Sequence, residues 1–264
     1  MKTFFCFFSS VLSIYLISCN NSDNRTDDSF PPPVPAISYT IGETLPHDTS
    51  YFTEGFEFYN NTLLESTGLN GKSKLVQVDP KTGKLIKQVV LDPKYFGEGI
   101  TVLHDTIYQL TYQEHVVHVY SAKDFKKIKE LPLEGEGWGM TNDGKNLIAS
   151  NGKSSLYFYE PSTFRLIREL PVTESGSSVV NINELEYING FVYANQWQYN
   201  YIIKINPANG EVVGKMDLSN EVNKIKAKDP HADFLNGIAY NPSTKKVYIT
   251  GKLWPEIYEI QFAH

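Results

Sequence analysis

Glutamate recurs in this chain at a wide and regular spacing. Glu54, Glu98, Glu136 and Glu184 each open a similar stretch of sequence, and Asn236 opens a fifth. The starts lie roughly 40 to 50 residues apart, a period that belongs to repeat architectures. Gly55, Gly99, Gly137 and Gly237 follow four of the five, letting the backbone pass close to a neighbour. Carboxyl groups gathered by such a repeat are costly unless they bind a cation, share protons or accept hydrogen bonds. A partly desolvated carboxyl is also a candidate acid–base group, because burial moves its pKa toward neutrality. Phe52, Phe96, Tyr112, Trp138 and Trp197 fall near the same points. Acids, amides and aromatic walls in one concave place suit a small ligand better than a flat protein face. The plainer reading of each glutamate is a staple that accepts backbone hydrogen bonds from the next unit. For most of the remaining aromatics it is packing between units.

The elements that must position these residues are strands. Each unit contains four short runs of alternating apolar and polar residues, joined by turn-forming Asn, Asp, Gly and Pro. Asn60-Asn61, Asp143-Gly144 and Asn189-Gly190 mark the turns between the first two strands of their units. Residues 220–228 form the one helix-like segment. Four-strand units at this period predict an all-β fold, a five-bladed β-propeller in which the first strand of each blade lines a central channel. The five repeat starts are then expected to meet near one mouth of that channel. The fifth unit lacks its outer strand, and residues 36–41, a spare β-like run, are expected to supply it and close the ring.

The chain has 264 residues, 30 acidic against 24 basic, for a formal net charge of −6. A general nucleic-acid binder would show a basic excess, so that class of partner is excluded. The only cysteines are Cys6 and Cys19, which leaves no disulfide framework or cysteine-built zinc site for the body. Met1-Lys2 and the apolar residues 4–17 read as an export signal, too short for a comfortable membrane span. Leu16-Ile17-Ser18-Cys19 resembles the lipobox of bacterial lipoprotein signals, which implies cleavage before Cys19 and lipidation of its thiol. Polar residues and the run Pro31-Pro32-Pro33 follow. The expected organisation is a signal at 1–19, a disordered tether at 20–35 and one propeller at 36–264. An extracytoplasmic, membrane-anchored monomer is expected, touching the membrane only through its lipid.

Six ordered motifs carry a more specific resemblance. They are Phe96-Gly97-Glu98-Gly99-Ile100-Thr101, Glu136-Gly137-Trp138-Gly139-Met140-Thr141, Asn183-Glu184-Leu185-Glu186-Tyr187, Ala194-Asn195-Gln196-Trp197-Gln198, Asn236-Gly237-Ile238-Ala239-Tyr240 and Thr250-Gly251-Lys252-Leu253-Trp254-Pro255. In these the chain resembles the plant-type glutaminyl-peptide cyclotransferases, five-bladed propellers also found in bacteria. The resemblance implies attack of an N-terminal glutamine's α-amino group on its own side-chain amide, giving pyroglutamate and ammonia. It implies that Glu98 is the proton shuttle. Lys252, Trp138 and Asn183 would bind the substrate and stabilise charge. Trp197 and Phe96 would form apolar walls, with Phe52, Glu54 and Tyr112 completing the substrate site.

Two positions depart from the family pattern. Glu54 stands where glutamine is usual, and Tyr112 where tryptophan is frequent. An ionised Glu54 suits a substrate ammonium but sets a second negative charge near Glu98, which raises one pKa of the pair and is expected to move the activity optimum upward. Carboxylates and carbonyls suit calcium, yet no Asp-rich loop of metal spacing is present, so neither cofactor nor metal is expected. His115 and His118 would point to opposite faces of a strand, a poor metal pair. This argues against a calcium lactonase or a quinoprotein. The remaining alternative is a non-catalytic propeller that binds a peptide or carbohydrate in its channel.

Overall fold

Turn chemistry sets the blades. Asn60 and Asn61 both take positive φ, 47° and 60°, as do His104 with Asp105 and Asn189 with Gly190. Two successive left-handed residues make the hairpin turn whose twist matches paired strands. In these three units the first strand therefore folds straight back onto the second. A computed structural model, which describes Met1 and residues 32–264, shows five antiparallel four-stranded sheets built this way.

The innermost strands are Thr53–Tyr59, Gly97–Leu103, Met140–Asn142, Ile182–Ile188 and Leu235–Asn241. Each touches the next, and the fifth returns to the first, so the blades form a closed ring. The apolar faces of neighbouring blades meet in five buried clusters, one per interface. This is the sheet-on-sheet solution for strands with one apolar face. The expected helix is present as Ser219–Lys228, and its Val222 and Ile225 are buried in the cluster between the fourth and fifth blades.

The fifth blade consists of Leu235–Asn241, Lys246–Gly251 and Glu256–Gln261, and an N-terminal strand completes it. That strand is Thr40–Pro46 rather than residues 36–41, pairing Thr40 with Gln261 and Pro46 with Glu256. The shift has a physical reason. Ile37 and Tyr39 look like strand residues but pack against the interface of blades four and five. The true outer strand is exposed except at Leu45 and contains Gly42 and Pro46, so its apolar signal is weak. Within the segment expected as a tether, Val34 packs on the third-to-fourth interface and the Pro35 carbonyl accepts the Lys215 N–H at 3.0 Å. The signal, the lipobox and Cys19 lie outside the described residues.

One residue past the closing strand, His47 clamps the seam between the fifth and first blades. Its Nδ1 faces the Trp254 carbonyl at 2.7 Å and its Nε2 faces both Glu65 oxygens at 3.2 and 3.1 Å. Both nitrogens meet acceptors, which favours the doubly protonated ring. Burial pushes the imidazole pKa down, but the Glu65 carboxylate and the Trp254 carbonyl outweigh it and leave the pKa raised. A raised histidine stabilises the fold fully below its unfolded pKa of about 6.5, and the gain fades as pH climbs through the folded value. His47→Ala should cost about 3 to 5 kcal/mol at mildly acidic pH, because it leaves Glu65 buried without its cation. Urea unfolding across a pH series checks this: the deficit should shrink as pH rises, and a pH-independent deficit would refute the clamp.

Candidate active site

Irregular pairing in the innermost strands creates the site. The register breaks between Thr53 and Gly55, between Gly97 and Ile100, between Ile182 and Leu185, and between Leu235 and Ile238. Glu54, Glu98, Asn183 and Asn236 sit in those four breaks. A bulge re-aims a side chain out of the pleat, and here it turns four polar residues toward one end of the channel. Close approach of the blades explains the neighbouring glycines. A Cβ on Gly99 would lie 2.4 Å from the Met140 nitrogen, and one on Gly139 would lie 2.0 Å from the Asn183 oxygen.

The result is a cavity of about 220 Å³ lined by Phe52, Glu54, Phe96, Glu98, Tyr112, Trp138, Asn183, Trp197, Asp233, Phe234 and Lys252. All nine residues singled out in the sequence for catalysis and substrate binding are among them. The volume is below the roughly 300 to 1,000 Å³ of pockets for drug-sized ligands, which suits a single amino-acid residue. Aromatic rings wall it in two groups. Phe52 meets Phe96 edge-on at 6.3 Å and Phe96 leans on Tyr112 at 5.8 Å. The second has Trp138 and Trp197 forming a T at 5.6 Å, with Phe234 6.0 Å from Trp197.

The polar groups are organised around one ion pair. Lys252 Nζ donates to Glu54 Oε1 at 2.6 Å and lies 4.6 Å from the centre of the Phe52 ring. The Asn236 amide donates to Glu54 Oε2 at 3.1 Å. Glu98 lies close enough to this pair to feel the charges of both Glu54 and Lys252. Burial drives the Glu98 carboxyl well above the usual range, and the Glu54 charge adds to that while Lys252 opposes it. Burial also raises Glu54, held back chiefly by Lys252. Both carboxyls are thus held above the usual range, Glu98 the more strongly, while Lys252 favours the charged form of Glu54. Glu54 is neutralised by Lys252, so its expected service to a substrate ammonium is taken up by a residue of the protein itself. Asn183 is buried and its Oδ1 has no partner among the described residues, a sign of an amide waiting for a ligand. The Trp138 indole N–H donates to Glu136 Oε2 at 3.3 Å, so it must leave that carboxylate to reach a substrate.

Two of the four glutamates expected at the mouth lie elsewhere. Glu136 is half-buried in the loop before the third blade, bonded to Gln113 and Trp138, and Trp138 takes the position in that blade that Glu98 holds in the second. In the fourth blade the equivalent position belongs to Asn183. Glu184 points deeper, accepting the Phe56 N–H at 3.2 Å and the Ile238 N–H at 2.8 Å. It is a staple between blades, as the plainer reading has it. Glu186 accepts the Tyr240 N–H at 2.7 Å and Glu57 accepts the Val102 N–H at 2.9 Å in the same manner. Burial lifts Glu184 and Glu186 well above the usual range, and Glu57 to about 8.

Asp233 and Phe234 escaped the sequence reading. Phe234 stands two residues before Asn236, as Phe52 does before Glu54 and Phe96 before Glu98, so the repeat itself carried its signal. Asp233 has no such counterpart in the other units.

The family model described as glutamine cyclotransferase matches residues 10–262 of this chain. A curated glutaminyl-peptide cyclotransferase from Arabidopsis thaliana is 39% identical over 234 residues, covering 85% of this chain and 73% of that protein. The crystal structure of the Myxococcus xanthus glutaminyl cyclase superposes with a TM-score of 0.81 at 32% identity, over 88% of this chain and 98% of that one.

Proposed function

Because the chain belongs to the glutamine cyclotransferase family, we propose that its cavity converts the N-terminal glutamine of peptides or proteins to pyroglutamate with release of ammonia. The observation that carries this reading is the buried Glu98 seated beside the Glu54–Lys252 pair in an aromatic-walled cavity the size of one residue. The aromatic walls would hold the substrate's methylenes in a folded pose that brings its amine onto its own amide carbon. Orientation counts heavily in such an intramolecular ring closure. Glu98 would donate its proton to the departing amide nitrogen and recover one from the attacking amine, ending as it began. Atoms balance: the amine nitrogen forms the lactam C–N bond, the amide C–N bond breaks and the nitrogen leaves as ammonia. Lys252 and the Asn183 amide would stabilise the oxygen that becomes negative in between.

The acid–base reading is metal-independent. Lys252, the cation at the mouth, already balances Glu54, which supports it. The chain would act as a monomer, held to an extracytoplasmic membrane surface by lipidated Cys19 and propeller-shaped from residue 36 onward.

The test is direct. Purified protein incubated with a glutamine-initiated dipeptide should release ammonia and the pyroglutamyl peptide in equal amounts, with or without a chelator. Binding without ammonia would instead mark a non-catalytic peptide-binding propeller. Run on fractions of cells expressing the full chain, the same assay checks the anchor. Activity should sediment with membranes, and Cys19→Ser should release it.

A further inference from the structure

Three carboxyl side chains line the cavity, and two are already engaged. Glu54 faces Lys252 and Asn236, and Glu98 faces Glu54. Asp233 is the third, and its carboxylate has no hydrogen bond or ion pair among the described residues. Its backbone, by contrast, is held at both ends. The Asp233 N–H donates to the Lys252 carbonyl at 2.8 Å, and its carbonyl accepts the indole N–H of fully buried Trp254 at 3.0 Å. The Lys252 N–H returns to the Phe234 carbonyl at 2.9 Å. A rigid main chain thus presents a carboxylate without a protein partner at the wall of the cavity. Such an acceptor gains most from a cationic donor, since hydrogen bonds between charged groups are the strong ones.

We propose that Asp233 is the anchor for the substrate's free α-amino group in its ammonium form, that the ammonium gives its extra proton to solvent before the neutral amine attacks, and that this anchor makes the site specific for glutamine at a chain terminus. The inference rests on the glutamine-cyclising reading and deepens it. An internal glutamine, or one with an acylated amine, offers no ammonium and would forgo this charged hydrogen bond. Other charged and titratable groups lining the cavity are Glu54 and Glu98 from the innermost strands, Lys252 just past the strand Lys246–Gly251, and Tyr112, while Lys226 lies over the Phe234 ring. Asp229 and His231, on the same loop, bond to each other.

Asp233→Asn keeps the shape and removes the charge. With a glutamine-initiated dipeptide, KM near pH 6.5 should rise roughly tenfold to a hundredfold, the worth of a charged hydrogen bond, while kcat changes little. The amine titrates at about 7.7 to 8.0, so the variant and the parent should converge in KM as pH rises past about 9. Asp233→Glu should recover part of the loss. An unchanged KM overturns the assignment, and so does an increase equal at every pH, which would mean a structural role. A fall in kcat without a change in KM also overturns it. Calorimetric titration with the dipeptide and its N-acetyl form gives a readout independent of turnover. The parent should prefer the free amine by at least about tenfold, and Asp233→Asn should lose that preference. If the parent binds with this preference yet releases no ammonia, the cyclising reading fails and the ammonium anchor stands.

Discussion

Replacing Glu98 with glutamine should lower kcat for pyroglutamate formation by roughly 10² to 10⁴, with KM nearly unchanged. That range is the usual worth of a positioned acid–base group. The substitution keeps the shape and removes only the titratable proton, so aromatic walls, Lys252 and Asn183 would still collect and fold the substrate. A second signature accompanies the loss. Burial raises the folded-state pKa of Glu98, aided by the Glu54 charge, so the parent binds this proton more tightly folded than unfolded. That contribution to stability is fully present below the unfolded glutamate pKa of about 4.3 and is lost as pH rises through the folded value. A glutamine has no such proton to lose. Melting temperatures of Glu98→Gln should therefore gain on the parent as pH is raised. A variant that retained activity within about threefold would remove Glu98 from the chemistry.

The repeat made the architecture legible, whereas the exact register at the channel needed the structure. Strand count, turns and the missing outer strand all follow from local patterns, because alternation and paired left-handed residues act over a few positions. The site depends on bulges, which insert a residue without changing the pattern around them. Aligning the units by glutamate therefore placed Glu136 and Glu184 with Glu98, although the equivalent residues are Trp138 and Asn183. The lining survives this error because Trp138 already stands among the aromatics near the repeat starts and Asn183 comes from the family resemblance. Asp233 was invisible for a different reason: a lone carboxylate in a loop becomes informative only when its neighbours' charges are seen to be paired and its own is not. The closing strand was misplaced by four residues because an outer edge strand buries almost nothing, so hydropathy favours the wrong segment.

Lys252→Met should cost both stability and turnover, and pairing it with Glu54→Gln should separate its two roles. Lys252 and Glu54 are both buried, with side chains 6% and 3% exposed. Deleting one partner of a buried pair leaves a desolvated charge and costs about 3 to 5 kcal/mol, whereas replacing both by neutral groups is frequently neutral or stabilising. The double variant should accordingly regain most of the stability lost by Lys252→Met, measured by urea unfolding. Activity should not follow. Loss of a charge aimed at the developing oxyanion typically lowers kcat by roughly 10² to 10³, and neutralising Glu54 supplies no replacement donor. Glu54→Gln alone gives the third corner of the cycle. It removes the negative charge that helps hold Glu98 up and leaves Lys252 unopposed, and both effects lower the Glu98 pKa. Whichever limb of the pH–rate profile reports Glu98 should then move to lower pH, with turnover retained at the new optimum. An unmoved profile would show that Glu54 does not tune the acid, and a double variant as unstable as Lys252→Met would show that the buried charge was not the cause of the loss.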